Sequence, residues 1–268
     1  MIRLKNLLIV CLILFMIVAM VIGAVIKQHE TSMLANGQVV SNKKYGWGLK
    51  RGENHKQPEL GMYKEIVEKY DGIAIGNKED KSVYLTFDLG YEAGYTAGIL
   101  DVLKENNVKA TFFITGHYLN SAPELVERMI REGHIIGNHT VNHYSMPEIS
   151  DAELKNELLK LHSAVFEKTG YEMAYMRPPK GEFSERTLEL TNNLGYKTVM
   201  WSFAYDDFSD GRDASNEYAK KKILDNIHSG SIILLHATSP QNANVLDECI
   251  KEIQNTGYVL KNINEFSK

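Results

Sequence analysis

Apolar residues fall along this chain in two patterns, one continuous and one interrupted. The continuous stretch, residues 7–26, reads LLIVCLILFMIVAMVIGAVI without charge or proline. That is about the 20 residues a helix needs to cross a bilayer. Arg3 and Lys5 precede it, so the positive-inside tendency places residues 1–6 in the cytoplasm and the chain after Lys27 outside. A cleaved signal peptide is the alternative. The run is longer than a usual signal core and no clear A-x-A site follows, which favours an uncleaved transmembrane anchor at 7–26. The expected localisation is the cell membrane, single-pass, with the bulk of the chain extracytoplasmic.

Beyond residue 80 the pattern becomes interrupted, with short β-rich apolar runs alternating with helical periodicity. The runs are VYLTFD (83–88), ATFFIT (110–115), HIIGNHT (134–140), AYMRPP (174–179), KTVMWSF (197–203), SIILLH (231–236) and YVLKNI (258–263). Between them, Ser150 with Glu153 reads as a helix start, and Gly170, Gly195 and Gly257 as helix stops. Alternation of this kind predicts an α/β fold with a parallel sheet, and about seven strands with six helices predict a distorted (β/α)7-type barrel. Length alone leaves an open doubly wound sheet standing beside it. Either architecture gathers functional groups at the C-terminal strand ends, where Asp88, His139, Arg177, Asp207 and His236 all fall.

Residues 27–80 read as a linker and N-terminal extension ahead of a domain at 81–268. Within the extension, YGWGLKRGENHKQPE (45–59) carries Trp47, read either as a sugar-stacking platform or, preferably, as an aromatic pinning the extension to the domain. Leaving out Arg3 and Lys5, 28 basic residues face 34 acidic ones, a net charge of −6, so nothing suggests a nucleic-acid partner. Cys11 lies in the apolar run and Cys249 is the only other cysteine. An intrachain disulfide in the outer domain is therefore excluded, and Cys249 reads as a small buried apolar residue.

Each candidate has a bland reading when taken alone. His139 and His143, four apart in HTVNH, present two imidazoles to one point on a helical turn or in a tight loop, but such a pair is weak evidence for metal. No glutamate follows His139, so the HExxH metalloprotease pattern is absent. Asp88 could be a strand-end cap, His236 a satisfied core histidine, and Arg177 in MRPPKG part of a strand-to-helix turn. Trp201 and the adjacent Asp206 and Asp207 could belong to a solvated loop.

Their order changes this. T-F-D, H-[ST]-x-x-H, R-P-P-x-G, W-S-…-D and L-L-H in succession over residues 81–268 resemble the polysaccharide deacetylases, the NodB-type domains of carbohydrate esterase family 4; ATFFITG and REGHIIGNHT match as well. The resemblance implies that Asp88 is the general base, that His139 and His143 bind a divalent metal, and that His236 is the general acid. It further implies that Arg177 orients Asp88 and keeps it ionised, that Asp207 supports protonated His236, and that Trp201 and Leu235 line a pocket for the acetyl methyl. Acid, base and metal together are what amide hydrolysis requires.

Two departures bear on this assignment. Leu89 stands where the family carries its third metal ligand, and Ala204 and Phe208 replace an aspartate and a tryptophan of the fourth motif. With acid, base, arginine and both histidines retained, these losses point to a subgroup. GYEAGYT, FFITGHYL and the N-terminal extension resemble the muramic acid deacetylases that give the δ-lactam of spore-cortex peptidoglycan. The expected substrate is N-acetylmuramic acid in peptidoglycan glycan strands, and the expected cofactor a divalent metal, zinc before others, bound weakly because of Leu89. The alternatives are a glucosamine deacetylase acting on peptidoglycan or another glycan, and a catalytically silent glycan-binding protein.

Overall fold

The computed structural model describes residues 40–207 and 215–267. The expected anchor at 7–26 and Phe208 therefore lie outside the described residues. Among the described residues no helix is long and apolar enough to cross a membrane.

In chain order the elements are β1 (Tyr45–Gly46), α1 (Met62–Lys69), β2 (Ser82–Leu89), α2 (Thr96–Glu105), β3 (Thr111–Ile114), α3 (Gly116–Ser121), α4 (Pro123–Arg131), β4 (Ile135–Asn138) and α5 (Asp151–Thr169). There follow β5 (Tyr175–Met176), β6 (Glu182–Phe183), α6 (Glu185–Asn193), β7 (Lys197–Thr198), α7 (Asn216–Asp225), β8 (Ser231–His236), α8 (Pro240–Asn255) and β9 (Val259–Leu260). Seven strands form one parallel sheet in the order β7-β5-β4-β3-β2-β8, with β9 pairing the start of β2. All seven expected strand segments contribute to it.

The sheet is a curled half-barrel with helices packed on it, so the distorted (β/α)7-type barrel expected is met as a parallel half-barrel. β5, β7 and β9 are two residues each, and Pro178 and Pro179 after β5 lack the N–H groups that would prolong its ladder. Among the described residues, the chain beyond β7 bridges to β8 only at Phe203 and Ile233. The N-terminal extension stitches the lower part of this seam. Ile73 N–H donates to the Thr198 carbonyl at 2.8 Å, Met200 N–H donates to the Ile73 carbonyl at 2.8 Å, and Gly76 N–H donates to the Gly230 carbonyl at 2.8 Å. A second, two-stranded sheet pairs β1 antiparallel with β6. The residues from Ser41 onward thus form one unit.

Alternation along the strands sorts side chains into two cores, because successive residues of a strand face opposite sides. On β2, Val83, Leu85, Phe87 and Leu89 pack on the helix side with Ile99, Leu100 and Leu103 of α2 and with Ile114, Ile233 and Leu235. Tyr84 of the same strand faces the concave side with Phe113, Ile135, Val199 and Ile232. Every residue of β2 is buried, as a strand covered on both faces requires. Cys249 packs in the helix-side core, where burial pushes its thiol up to about 12.

The helix signals read from the sequence are used. Ser150 Oγ accepts from Glu153 N–H at the start of α5, Gly170 caps that helix in the left-handed conformation, and Gly195 and Gly257 follow α6 and α8 with positive φ. The extension packs through Leu60, Val67, Ala74 and Ile75 against Phe183, Leu188 and Met200. Trp47 belongs to this cluster. Its ring lies 6.3 Å from those of Phe183 and Trp201, and its Nε1–H donates to the Trp201 carbonyl at 2.9 Å. The pinning role thus describes Trp47.

Candidate active site

A cleft of about 630 Å³ opens above the C-terminal strand ends, lined among others by Asp88, His139, His143, Trp201 and His236. Asp88 ends the inward-facing series of β2, and its register partner on β8 is His236. Two neighbouring parallel strands thus deliver a carboxylate and an imidazole side by side.

Arg177 follows β5 and is fully buried beneath the cleft. Its Nη1 donates to Asp88 Oδ1 at 2.8 Å, its Nε to the Val199 carbonyl at 3.0 Å and its Nη2 to the Met200 carbonyl at 3.2 Å. The guanidinium also lies 4.2 Å from the ring centre of Phe113 and 5.6 Å from that of Trp201. Burial alone would raise the Asp88 carboxyl. The Arg177 charge, helped by His139 and His236, outweighs it and holds Asp88 below the ordinary aspartate range.

His236 has its own carboxylate. Asp207, whose side chain is fully buried, accepts from His236 Nδ1 at 2.7 Å on one oxygen and from the His236 backbone N–H at 2.7 Å on the other. Burial pulls the imidazole down, but the hydrogen bond and charge of Asp207, joined by Asp88, more than offset it, and His236 titrates above its ordinary value. Asn242 Nδ2 completes the clamp, donating to Asp207 Oδ2 at 2.5 Å and to the His236 carbonyl at 3.1 Å. The Tyr205 hydroxyl in turn donates to Asn242 Oδ1.

His139 and His143 sit in a tight loop, the second of the two geometries open to HTVNH. Thr140 and His143 both adopt positive φ, and the loop is held from α5 by Glu157, which accepts from Asn142 N–H at 2.7 Å and Asn142 Nδ2 at 2.5 Å. The two imidazoles stand edge to face with centres 4.8 Å apart. His139 Nδ1–H donates to the Arg177 carbonyl at 2.8 Å, which leaves the Nε2 lone pair facing Asp88 Oδ2 at 3.6 Å. Burial depresses both histidines, His143 to about 4, so both are neutral at physiological pH.

Strand termini, one buried ion pair and a histidine–aspartate pair thus converge on one concave surface in the motif order read from the sequence. A search against known families agrees, matching "Polysaccharide deacetylase" over residues 75–199. The chain is also 41% identical to the peptidoglycan-N-acetylmuramic acid deacetylase PdaA of Bacillus subtilis over 86% of this chain and 89% of that one. The chain belongs to the polysaccharide deacetylase family. The solved structure of PdaA, described as a family 4 carbohydrate esterase, covers 85% of this chain and 98% of its own with a TM-score of 0.82. A peptidoglycan-N-acetylglucosamine deacetylase of Bacillus cereus is 34% identical over 71% of this chain and 70% of its own. A family 4 pseudoenzyme of Bacillus anthracis is 26% identical, with a TM-score of 0.68, over 73% of this chain and 68% of its own.

As a polysaccharide deacetylase the protein is a hydrolase, and members of its family are generally metal-dependent. The residues present fit a divalent cation in part. Two neutral imidazoles are the ligating form, and a lone pair facing a carboxylate oxygen is an arrangement that a cation between them satisfies. Among the described residues, however, no group of three or more ligating side chains is arranged to hold a metal. Leu89 does not line the cleft at all. As an outward-facing residue of β2 it is fully buried in the helix-side core, on the face opposite Asp88.

The same alternation corrects the expectation for Leu235. It packs on the helix side, and Leu234, one residue earlier and in step with His236, lines the cleft. Trp201 lines the cleft as expected, seated against Gly181. That glycine has φ +66°, and a Cβ there would lie 2.7 Å from the Trp201 ring. The cleft also takes Tyr91, Lys180, Tyr205 and Thr238, none of them singled out in the sequence. Asn242 and Glu157 carried faint signals: Ser239–Pro240 marks a helix start that turns Asn242 back toward β8, and Glu157 interrupts the apolar stripe Leu154, Leu158, Leu161.

Glu92 of the GYE signature lies outside the chemistry. It accepts from Gly94 N–H at 2.6 Å, Thr96 Oγ1 at 2.5 Å and Tyr118 OH at 2.9 Å, and so fixes the start of α2.

Proposed function

We propose that this protein is a membrane-anchored, extracytoplasmic deacetylase that hydrolyses the N-acetyl group of N-acetylmuramic acid in peptidoglycan. In this reading the domain at 81–268 carries the chemistry, residues 27–80 are linker and extension, and the uncleaved run at 7–26 is the anchor. The observation that carries the chemistry is the pairing of Asp88 with His236 on adjacent strand ends, each with its own buried partner of opposite charge. The likeness to PdaA supports this substrate, and the apolar run together with a peptidoglycan substrate supports this location.

Asp88, kept ionised by Arg177, takes a proton from the water that attacks the acetamide carbon. His236, kept protonated by Asp207, donates a proton to the sugar nitrogen as the C–N bond breaks, leaving acetate and an amine. Trp201 and Leu234 give the acetyl methyl an apolar wall. A divalent ion, zinc before others, would be held by His139 and His143 and would supply Lewis-acid polarisation of the water and the carbonyl. With Leu89 buried in the core, binding of that ion is weaker than in relatives that carry aspartate at this position. The freed amine lies next to the lactyl carboxyl of muramic acid, and closure between them, with loss of one water, gives the muramic δ-lactam of spore cortex.

Retention of both acid–base pairs disfavours the catalytically silent reading. Acetate release from peptide-free glycan strands tests the assignment: Asp88→Asn and His236→Ala are expected to lower kcat on the order of 10²–10⁴-fold each. An Asp88→Asn protein as fast as the parent would overturn the assignment of the base.

A further inference from the structure

Among the described residues, the acid and base of the cleft each have an ion-pair partner, and Lys180 beside them has none. Asp88 is held by Arg177 and His236 by Asp207. Lys180, exposed at the cleft wall, has no ion pair or side-chain hydrogen bond among the described residues. The carboxylate two residues away, Glu182, is bridged by Lys44 at 3.3 Å instead.

The backbone under Lys180 is costly and rigid. Lys180 occupies the left-handed region at φ 60°, ψ 6°, a conformation that disfavours a lysine by roughly 1–2 kcal/mol. Pro178 and Pro179 precede it and Gly181 follows. Gly181 N–H donates to the Pro178 carbonyl at 3.1 Å, and the Gly181 carbonyl accepts from Trp47 N–H at 2.8 Å. The turn therefore fixes where the lysine starts, three residues from the arginine that holds the base. Strain of this kind persists where the surrounding structure imposes it, and it clusters at ligand-binding sites.

Muramic acid differs from glucosamine by a lactyl ether on O3, next to the acetamide on C2, and when no peptide is attached that ether ends in a carboxylate. We infer that Lys180 pairs with this lactyl carboxylate and thereby selects N-acetylmuramic acid over N-acetylglucosamine. The inference rests on the muramic substrate proposed above. Lys180 acts in binding and takes no part in proton transfer.

The test uses the full chain and two sets of peptide-free glycan strands, one with free lactyl carboxylates and one with those groups converted to carboxamides. Lys180→Gly removes the ammonium and suits the left-handed backbone, so folding is retained; Lys180→Arg keeps the charge. On free-acid strands Lys180→Gly is expected to raise KM about tenfold with kcat nearly unchanged, the signature of lost uniform binding, and Lys180→Arg to restore most of it. On carboxamide strands the parent loses a similar factor and Lys180→Gly adds no further loss. Equal penalties on both substrates, or none on either, would overturn the lactyl assignment while leaving the muramic reading intact. A parent enzyme that deacetylated only glucosamine would overturn the substrate reading and this inference with it.

Discussion

Asp88 and Arg177 are buried together, and each depends on the other. Removing one partner of a buried pair leaves an uncompensated charge, so Arg177→Met is expected to cost about 3–5 kcal/mol in urea unfolding and to let the Asp88 pKa rise toward what burial alone dictates. Unchanged stability would show that the pair is not what holds the carboxylate. The second pair makes a prediction in pH. His236 must be protonated to act, and its raised pKa keeps it so above the ordinary histidine value of about 6.5. The alkaline limb of kcat/KM is therefore expected above that value. Asp207→Asn should move the limb to lower pH, because the group that raises His236 is gone and burial then dominates; a limb that stayed in place would exclude this role for Asp207. These residues were legible because each polar group ends an apolar strand. Asn242 and Lys180 were not, since an asparagine in a helix start and a lysine in a loop look like ordinary surface until the tertiary fold brings them to the cleft.

At the level of elements, the strand period decides most of what the cleft contains. Six strand-end and loop side chains read from the sequence, Asp88, His139, His143, Arg177, Trp201 and His236, meet as expected, and Asp207 is reached from the chain beyond β7. Leu235 was misplaced by one residue, which in a strand means the opposite face; Leu89, read as unable to bind a cation, lies on that same helix side. A motif written as consecutive letters does not say which letters face which side; the pairing register does. The turn at 179–181 offers a sharper test. Gly181→Ala would force a side chain into positive φ and into the Trp201 ring, and is expected to cost roughly 1–3 kcal/mol, with a raised KM as Trp201 is displaced. A thermal midpoint and KM equal to those of the parent would contradict that packing.

Over the molecule as a whole, the alternation of strand and helix foretold the parallel sheet, but not how it closes. Among the described residues the seam between β7 and β8 is crossed by one bridge and stitched by residues 73–76, and the extension adds β1 against β6. Strands of two residues carry no period to read, and a pairing between residues 45 and 183 has no local signal. Trp47 alone announced the docking, through its size amid glycines. The account of function turns on the sugar that loses its acetyl group, and the most direct measurement is mass spectrometry of peptide-free glycan strands digested after treatment with the enzyme. Muramic acid deacetylated, or closed to its lactam, with the neighbouring glucosamine still acetylated is the expected result. Acetate lost from glucosamine alone would contradict the account.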